Sequence, residues 1–482
     1  MCFQKKSFIL FFSLIAYAAQ GQASVNSDSV LPVKQPDSLL TIHKSPFRAA
    51  GIVLGTNLGV WSYDHFVQGS SYAQININTI KDNFRTGFSG DNDGFMTNLL
   101  SHPYHGGAYF DAARSNGMSF WQSAPYSTAG SLMWEFFMEN EPAAINDVIS
   151  SGIGGPCMGE IGFRISDLVI DDRAIGFDRF KRELLLTIIS PIRGLNRLLS
   201  GEAWKHRNIT GRSLPKTPIT FYATSGYHIF NGTGQAACYD LGIDYGDPFN
   251  AENEKPYDYF SIRLSGNFSS QQSIIGRVSI VGMLCSKDLY SNGRDHQLTV
   301  GIFQYFNYYE INPVNKNSPL SPYKLAETAS AGSGLLYQRK LTNHVIFTGS
   351  AHVGALLLGG YPNDYDNRFI RTYNMGSGFS SKLNLGLQVG NRAILELNTE
   401  NYQIYSWIEY LPHYTEQLHA NERGYKGSAN LSVARLNFNY KISHHFLLAA
   451  ETTYYYRKNK YKYYPDVTDG ISENKVSVGY IF

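Results

Sequence analysis

The residues best suited to chemistry crowd into one stretch. In HPYHGGAYFDAARSNG, residues 102–117, His102 and His105 precede Asp111 and Arg114; then come Glu135, Glu139, Asn146, Asp147, Glu160, Arg164, Asp167 and Asp171. Three chemistries can be built from this set. A proton-transfer site would use His102 or His105 as base, with Glu135 or Asp147 to orient it, because such a step needs a group titrating near neutrality. A metal site would gather His102, His105, Glu135 and Asp147 around one cation through nitrogen and oxygen ligands, as zinc or manganese sites do. The His-Pro-Tyr-His spacing is not a helical His-x-x-x-His pair, since Pro103 interrupts it, so no metal or cofactor is expected. The third chemistry is structural: a network of Arg114, Glu135, Glu139, Asp147, Glu160 and Arg164, in which the arginines satisfy carboxylates of neighbouring helices. Buried charge must be paired, and this reading leads, with Arg114 holding a carboxylate from another helix.

Helices must position these groups. A helix predicted over Tyr126–Glu139 puts Thr128, Ser131, Glu135 and Glu139 on one face, with Leu132 and Phe136 opposite and Trp134 beside the carboxylates. Asn146 and Asp147 open a short helix, and Glu160, Arg164, Asp167 and Asp171 form an alternating-charge stripe on the next. Pro125, Pro142 and Pro156 each mark an expected helix start. From Phe177 to Trp204, Phe177, Phe180, Leu184, Ile188, Leu195 and Leu198 recur at helical spacing around Pro191. Arg179, Lys181, Arg182, Arg193, Arg197, Lys205 and Arg207 make this stretch basic as well. Two readings stay open for it: a helix lying on anionic lipid at the periplasmic leaflet, or one packed on its neighbours with a solvated basic face.

The rest of the chain points to an envelope protein. Lys5 and Lys6, the apolar run Phe8–Ala19 and small residues at Ala19, Gly21 and Ala23 read as a secretory signal over residues 1–23, followed by a linker over 24–44. The run is too short for a transmembrane anchor. Cys157, Cys238 and Cys285, odd in number and widely spaced, give neither a disulfide framework nor a zinc pair and read as apolar fillers. Charged residues are only 17%, aromatic residues reach 14%, and the mean hydropathy is −0.24. That combination suits a barrel whose lipid face is diluted by a polar interior. A net charge of +2 gives no support to a nucleic-acid partner.

Beyond about Ile219 the period becomes two. Phe260, Ile262, Leu264 and Phe268 oppose Tyr259, Ser261, Arg263 and Ser265, and Leu436, Phe438 and Tyr440 oppose Arg435, Asn437 and Asn439. Twelve such segments begin near Ile219, Tyr239, Tyr257, Ser273, His296, Lys324, His344, Asn374, Arg392, Ser428, His445 and Glu473. The last, ENKVSVGYIF, ends on Phe482 and resembles the closing strand of Gram-negative outer-membrane barrels, whose assembly machinery reads a terminal aromatic. The expected partners are therefore outer-membrane lipid and that machinery.

HPYHGGAYFDAARSNG, followed by GSLMWEFFMENEPAAINDVISSGIGG, GEIGFRISD and SPIRGLNRLL, resembles a family of uncharacterised Gram-negative envelope proteins defined by a domain of unknown function, over about Ser45 to Arg212. Members of that family add a C-terminal barrel. The resemblance implies an envelope location and supplies no activity or functional residue. Outer-membrane phospholipases share the gross architecture but place a Ser two residues after a strand His; His228, His296, His344, His352, His413, His419, His444 and His445 lack one.

The expected fold is α+β: an α-helical domain over 45–212, on the periplasmic side or partly in the lumen, then an antiparallel transmembrane β-barrel of about twelve strands over 213–482. The leading function is envelope organisation, or passage or binding of a small or amphiphilic molecule. The alternative is a lipid- or cell-wall-modifying hydrolase or transferase, with His102, His105, Glu135 and Asp147 as candidates in the helical domain.

Overall fold

A computed structural model describes residues 39–90, 93–230, 234–250, 255–269, 272–293, 295–312, 323–365, 372–407 and 426–482. The expected signal segment, most of the linker, His413 and His419 lie outside these residues. The chain divides into two compact units: one runs up to Gly90 and resumes over Ser101–Thr217, and the other joins Asp91–Leu100 to Pro218–Phe482.

The first unit is helical: α1 Pro46–Tyr63, α2 Ile77–Thr86, α3 His102–Arg114, α4 Phe120–Phe137, α5 Ile145–Ile149, α6 Gly155–Val169, α7 Gly176–Ile189 and α8 Pro191–Leu199. Proline opens α1, α3, α6 and α8, where its missing N–H would be unpaired anyway. Reciprocal caps start α2 (Asn76 with Thr79) and α4 (Ser119 with Gln122). The Ser119 cap explains a departure from the sequence pattern. It starts α4 at Phe120, so Pro125 falls inside the helix rather than at its start, and the helix ends before Glu139. The lost donor affects only the carbonyl of Trp121, an exposed residue that water can serve. The stretch from Phe177 to Trp204 is two helices, because Pro191 restarts the chain after Ser190.

In the second unit, twelve antiparallel strands close into a barrel: β1 Ile219–Phe230, β2 Gly234–Tyr245, β3 Phe260–Asn267, β4 Arg277–Asn292, β5 His296–Ile311, β6 Tyr323–Thr342, β7 Val345–Pro362, β8 Tyr373–Val389, β9 Ala393–Ser406, β10 Gly427–Lys441, β11 Phe446–Tyr461 and β12 Val467–Ile481. The last strand pairs with the first, from Tyr222 opposite Ile481 to Phe230 opposite Glu473, so no edge is left. The largest boundary differences from the sequence pattern are at β2, which begins at Gly234 instead of Tyr239, and β12, which begins at Val467 instead of Glu473. Both extensions pair in register with a neighbour, Gly234 with Phe230 and Val467 with Asn459. Ladder hydrogen bonds carry strands through residues too polar to show an apolar alternation.

The alternation separates two faces. Val353, Phe379, Leu383, Leu436, Phe438, Val476 and Val478 are exposed on the outside, whereas Lys382, Glu400, Arg435, Glu473 and Lys475 are buried at alternating positions. An apolar exterior over a polar interior is the pattern of an outer-membrane barrel. Residues 93–100, expected among the helices, pack with the strands instead. Phe95 meets the rings of Tyr308 and Tyr373, Asn98 Nδ2 donates to Tyr373 Oη at 2.7 Å, and Tyr373 Oη donates to the Asp93 carbonyl at 2.9 Å.

Candidate functional site

The sequence-singled residues 102–117 form α3 and the turn after it, and glycine sets how closely that helix meets α6. A Cβ on Gly106 would stand 2.1 Å from the Ser151 carbonyl oxygen, and one on Gly155 2.5 Å from the Gly106 backbone; Gly159 faces Phe110 and the Gly107 carbonyl at 2.6 and 2.7 Å. Backbone therefore lies on backbone, and the polar side chains of both helices are buried together.

Within this crossing Arg114 Nε donates to Glu160 Oε2 at 2.7 Å, while Arg164 Nε donates to Glu160 Oε1 at 2.8 Å. Glu160 is completely buried, so two guanidiniums share one carboxylate. Phe163 lies between cations, with Arg114 4.3 Å and Arg193 4.1 Å from its ring centroid.

Asp111 reaches α8. Its Oδ2 accepts from the Ser190 hydroxyl and, at 3.1 Å, from the Arg193 amide in the first turn of that helix, serving as a cap supplied from another element. Its Oδ1 is buried with no hydrogen-bond partner among the described residues. Burial raises the carboxyl to about 6, against the favourable effects of Ser190 and Arg193.

His102 Nε2 lies 3.6 Å from Asp147 Oδ1, which accepts from Asn146 Nδ2 at 2.7 Å. The His105 ring is 6.3 Å from that of His102, centroid to centroid, and burial lowers its pKa. Glu135 Oε2 accepts from the Ala144 amide at 2.8 Å, at the start of α5. Glu139 accepts from the Trp134 indole. The structure thus brings His102, His105 and Asp147 near one another, and Arg114, Glu160 and Arg164 into one contact. The neighbouring serines donate to main-chain carbonyls: Ser127 to Gly106, Ser131 and Ser150 to Asp147, and Ser151 to His102. Among the described residues no group of three or more His, Cys, Asp or Glu could hold a metal ion.

Two features escaped the sequence pattern. Asp172, completely buried, pairs with Arg179 at 2.9 Å, Arg197 at 2.8 Å and Arg207 at 2.5 Å; Glu183 joins through Arg179 and Arg197, and Glu202 through Arg207. The signal was present as arginines and acids interleaved over residues 171–207, since arginines that are buried call for carboxylate partners. Asp167 binds Arg193 and also accepts from the Ser213 amide and hydroxyl and the Leu214 amide, clasping the segment that leads to β1. Cys157 and Cys238 are buried fillers, but Cys285 is exposed, because the outer part of β4 leaves it uncovered.

The barrel interior holds a second polar set. Tyr309 Oη donates to Glu400 at 2.8 Å, joining β5 to β9, and Tyr323 Oη donates to the Ser432 carbonyl at 3.3 Å, joining β6 to β10. These strands are not neighbours in the barrel, so both bonds cross its interior. Tyr455 of β11 packs on both tyrosine rings, with centroids at 6.3 and 5.1 Å. Nearer the β11–β12 connection, Arg457 forms a two-bond pair with Asp364, at 2.8 and 2.9 Å. Lys475 meets Asp240 at 2.8 Å, His228 meets Glu473 at 2.6 Å, and Lys382 meets Glu327 at 2.8 Å.

Comparison with known proteins gives a family for part of the chain. Residues 87–192 match the family described as Domain of unknown function (DUF3943). No curated protein matches. Among solved structures, the NanC porin aligns at 11% identity over 54% of this chain and 98% of its own, with a TM-score of 0.29. The KdgM porin aligns at 9% over 54% and 98%, with a TM-score of 0.24. The outer-membrane channel DcaP of Acinetobacter baumannii aligns at 10% over 55% and 97%, with a TM-score of 0.23.

Proposed function

We propose that this chain is an outer-membrane barrel protein that binds or passes a small polar or amphiphilic molecule through an interior held shut in the conformation seen here, with its helical unit on the periplasmic side. The observation that carries this reading is the cross-barrel contact of Tyr309 with Glu400 and Tyr455, set among buried charges. The tyrosines lie in a buried cluster with Ile311, Leu325, Leu356, Ile404 and Leu431, so the charges beside them add paired ions to a level that apolar packing already fills, which stability alone does not call for. Hydrogen bonds and ion pairs between non-adjacent strands can exchange for water or solute, so the same groups that close the interior can line an opened one.

The test is electrical. Full-length protein in planar bilayers is expected to be silent or nearly so, and the double variant Tyr309→Ala/Tyr455→Ala to give stepwise conductance. Heat-modifiable mobility in gels checks that both barrels are closed. A variant with an intact barrel and no conductance sinks the passage reading.

The His102–Asp147 approach supports keeping the hydrolase or transferase alternative as the second reading. It requires His102→Ala to abolish a lipid- or peptidoglycan-modifying activity of the folded protein.

A further inference from the structure

Helices α7 and α8 bury arginines and expose apolar side chains, although α7 also turns Leu185, Leu186 and Ile189 to the core. On α7, Phe177, Phe180 and Leu184 lie on one side and are exposed, Phe177 at 73%, while Arg179, about half a turn away, is buried against Asp172 and Glu183. On α8, Leu195, Leu198 and Leu199 are exposed, and Arg193 and Arg197 point the other way, into Asp167 and Asp172. Ile175 precedes the first helix and Trp204 follows the second, at 72% and 75% exposure. Phe177 and Phe180 stack on each other, centroids 6.1 Å apart. An ordinary surface helix turns its apolar stripe to the core and leaves no second one outside. The arginines cannot rotate outward to correct this, because Arg179 and Arg197 share the buried Asp172 with Arg207, and Arg193 holds Asp167.

Such a patch marks a surface covered by something apolar. We propose that it is covered by phospholipid: α7 and α8 form an interfacial membrane anchor, with the aromatic and leucine side chains in the acyl boundary and Lys181, Lys205 and Arg173 beside it at the headgroups. Two observations choose lipid over a protein. Lys181, Lys205 and Arg173 border the patch in ion pairs with Asp178, Glu202 and Asp171, and Lys205 and Arg173 are the more exposed members of their pairs, which suits an anionic lipid surface. The chain also passes from Trp204 to a barrel strand at Ile219 within fifteen residues, so a bilayer is always within reach. No helix of the described residues is long and apolar enough to cross a membrane, and an in-plane anchor does not need one. This inference rests on the outer-membrane reading of the barrel.

Full-length protein reconstituted in phosphatidylcholine–phosphatidylglycerol vesicles reports on the anchor through Trp204, whose emission is the difference between wild type and Trp204→Phe. Brominated acyl chains are expected to quench that difference, and aqueous acrylamide to leave it largely untouched. Phe177→Glu/Leu198→Glu is expected to reverse both responses without altering heat-modifiable mobility. Trp204 emission open to acrylamide and indifferent to bromine overturns the proposal. So does emission shielded from both quenchers, which would mean that a second copy or another part of the protein covers the patch. Failure of the membrane reading itself looks different: the chain does not float with vesicles and shows no heat-modifiable barrel.

Discussion

Glu160 has two guanidiniums on one buried carboxylate, so its removal takes the shared carboxylate from the buried Arg164 and the half-buried Arg114. Glu160→Ala is expected to cost about 3–5 kcal/mol in the helical unit, the range for breaking a buried ion pair, with loss of near-UV circular dichroism while the barrel keeps its heat-modifiable shift. Asp111 behaves in the opposite sense. Its carboxyl is raised from 3.8 to about 6 by burial, so folding is penalised as the group ionises; the penalty is absent below pH 4, grows between, and is complete above about pH 6. A rise of this size is worth roughly 3 kcal/mol. Wild-type amide protection in α3 and α8 is therefore expected to fall between pH 4 and 6.5 relative to Asp111→Asn, as measured by hydrogen exchange. A flat difference across that range would show that Asp111 is ionised in the fold at little cost. At this scale the sequence identified the participants better than their partners. Arg114 and Glu160 were visible as residues needing opposite charges, but their meeting depends on a helix crossing that no spacing encodes. Asp172 was passed over because its three arginines lie seven, twenty-five and thirty-five positions away.

The crossing itself belongs to the elements. Gly106, Gly107, Gly155 and Gly159 are the contact surface between α3 and α6, which apolar periodicity does not mark. Gly106→Ala places a methyl 2.1 Å from the Ser151 carbonyl and forces the helices apart. It is expected to cost at least about 1–3 kcal/mol, the usual range for overpacking, and to loosen Glu160 from Arg114, seen as faster exchange in α6. The strand number was legible because alternation repeats with each hairpin, while the ends of β2 and β12 were not, since backbone pairing continues where side-chain contrast stops. The arginines of α7 and α8 were legible as an amphipathic pattern, yet its sense was inverted. Periodicity reports that two faces differ and is silent on which one is buried; the buried acids decide that.

Across the whole molecule, two polar sets are held by side chains far apart in sequence, one among the helices and one inside the barrel. The segment 93–100 gives this arrangement a consequence in time. Its neighbours in the chain belong to the helical unit, but its partners, Tyr308, Tyr373 and the strands around them, are translated more than two hundred residues later. As the chain folds, the helical residues on either side can reach their own contacts first, while Phe95 and Asn98 have no docking surface until β5 to β8 exist. The segment is thus a marker of maturation. A protease site engineered beside Phe95 is expected to be cut in chains whose barrel has not formed and to become resistant only as the barrel closes, which pulse proteolysis during refolding would follow directly.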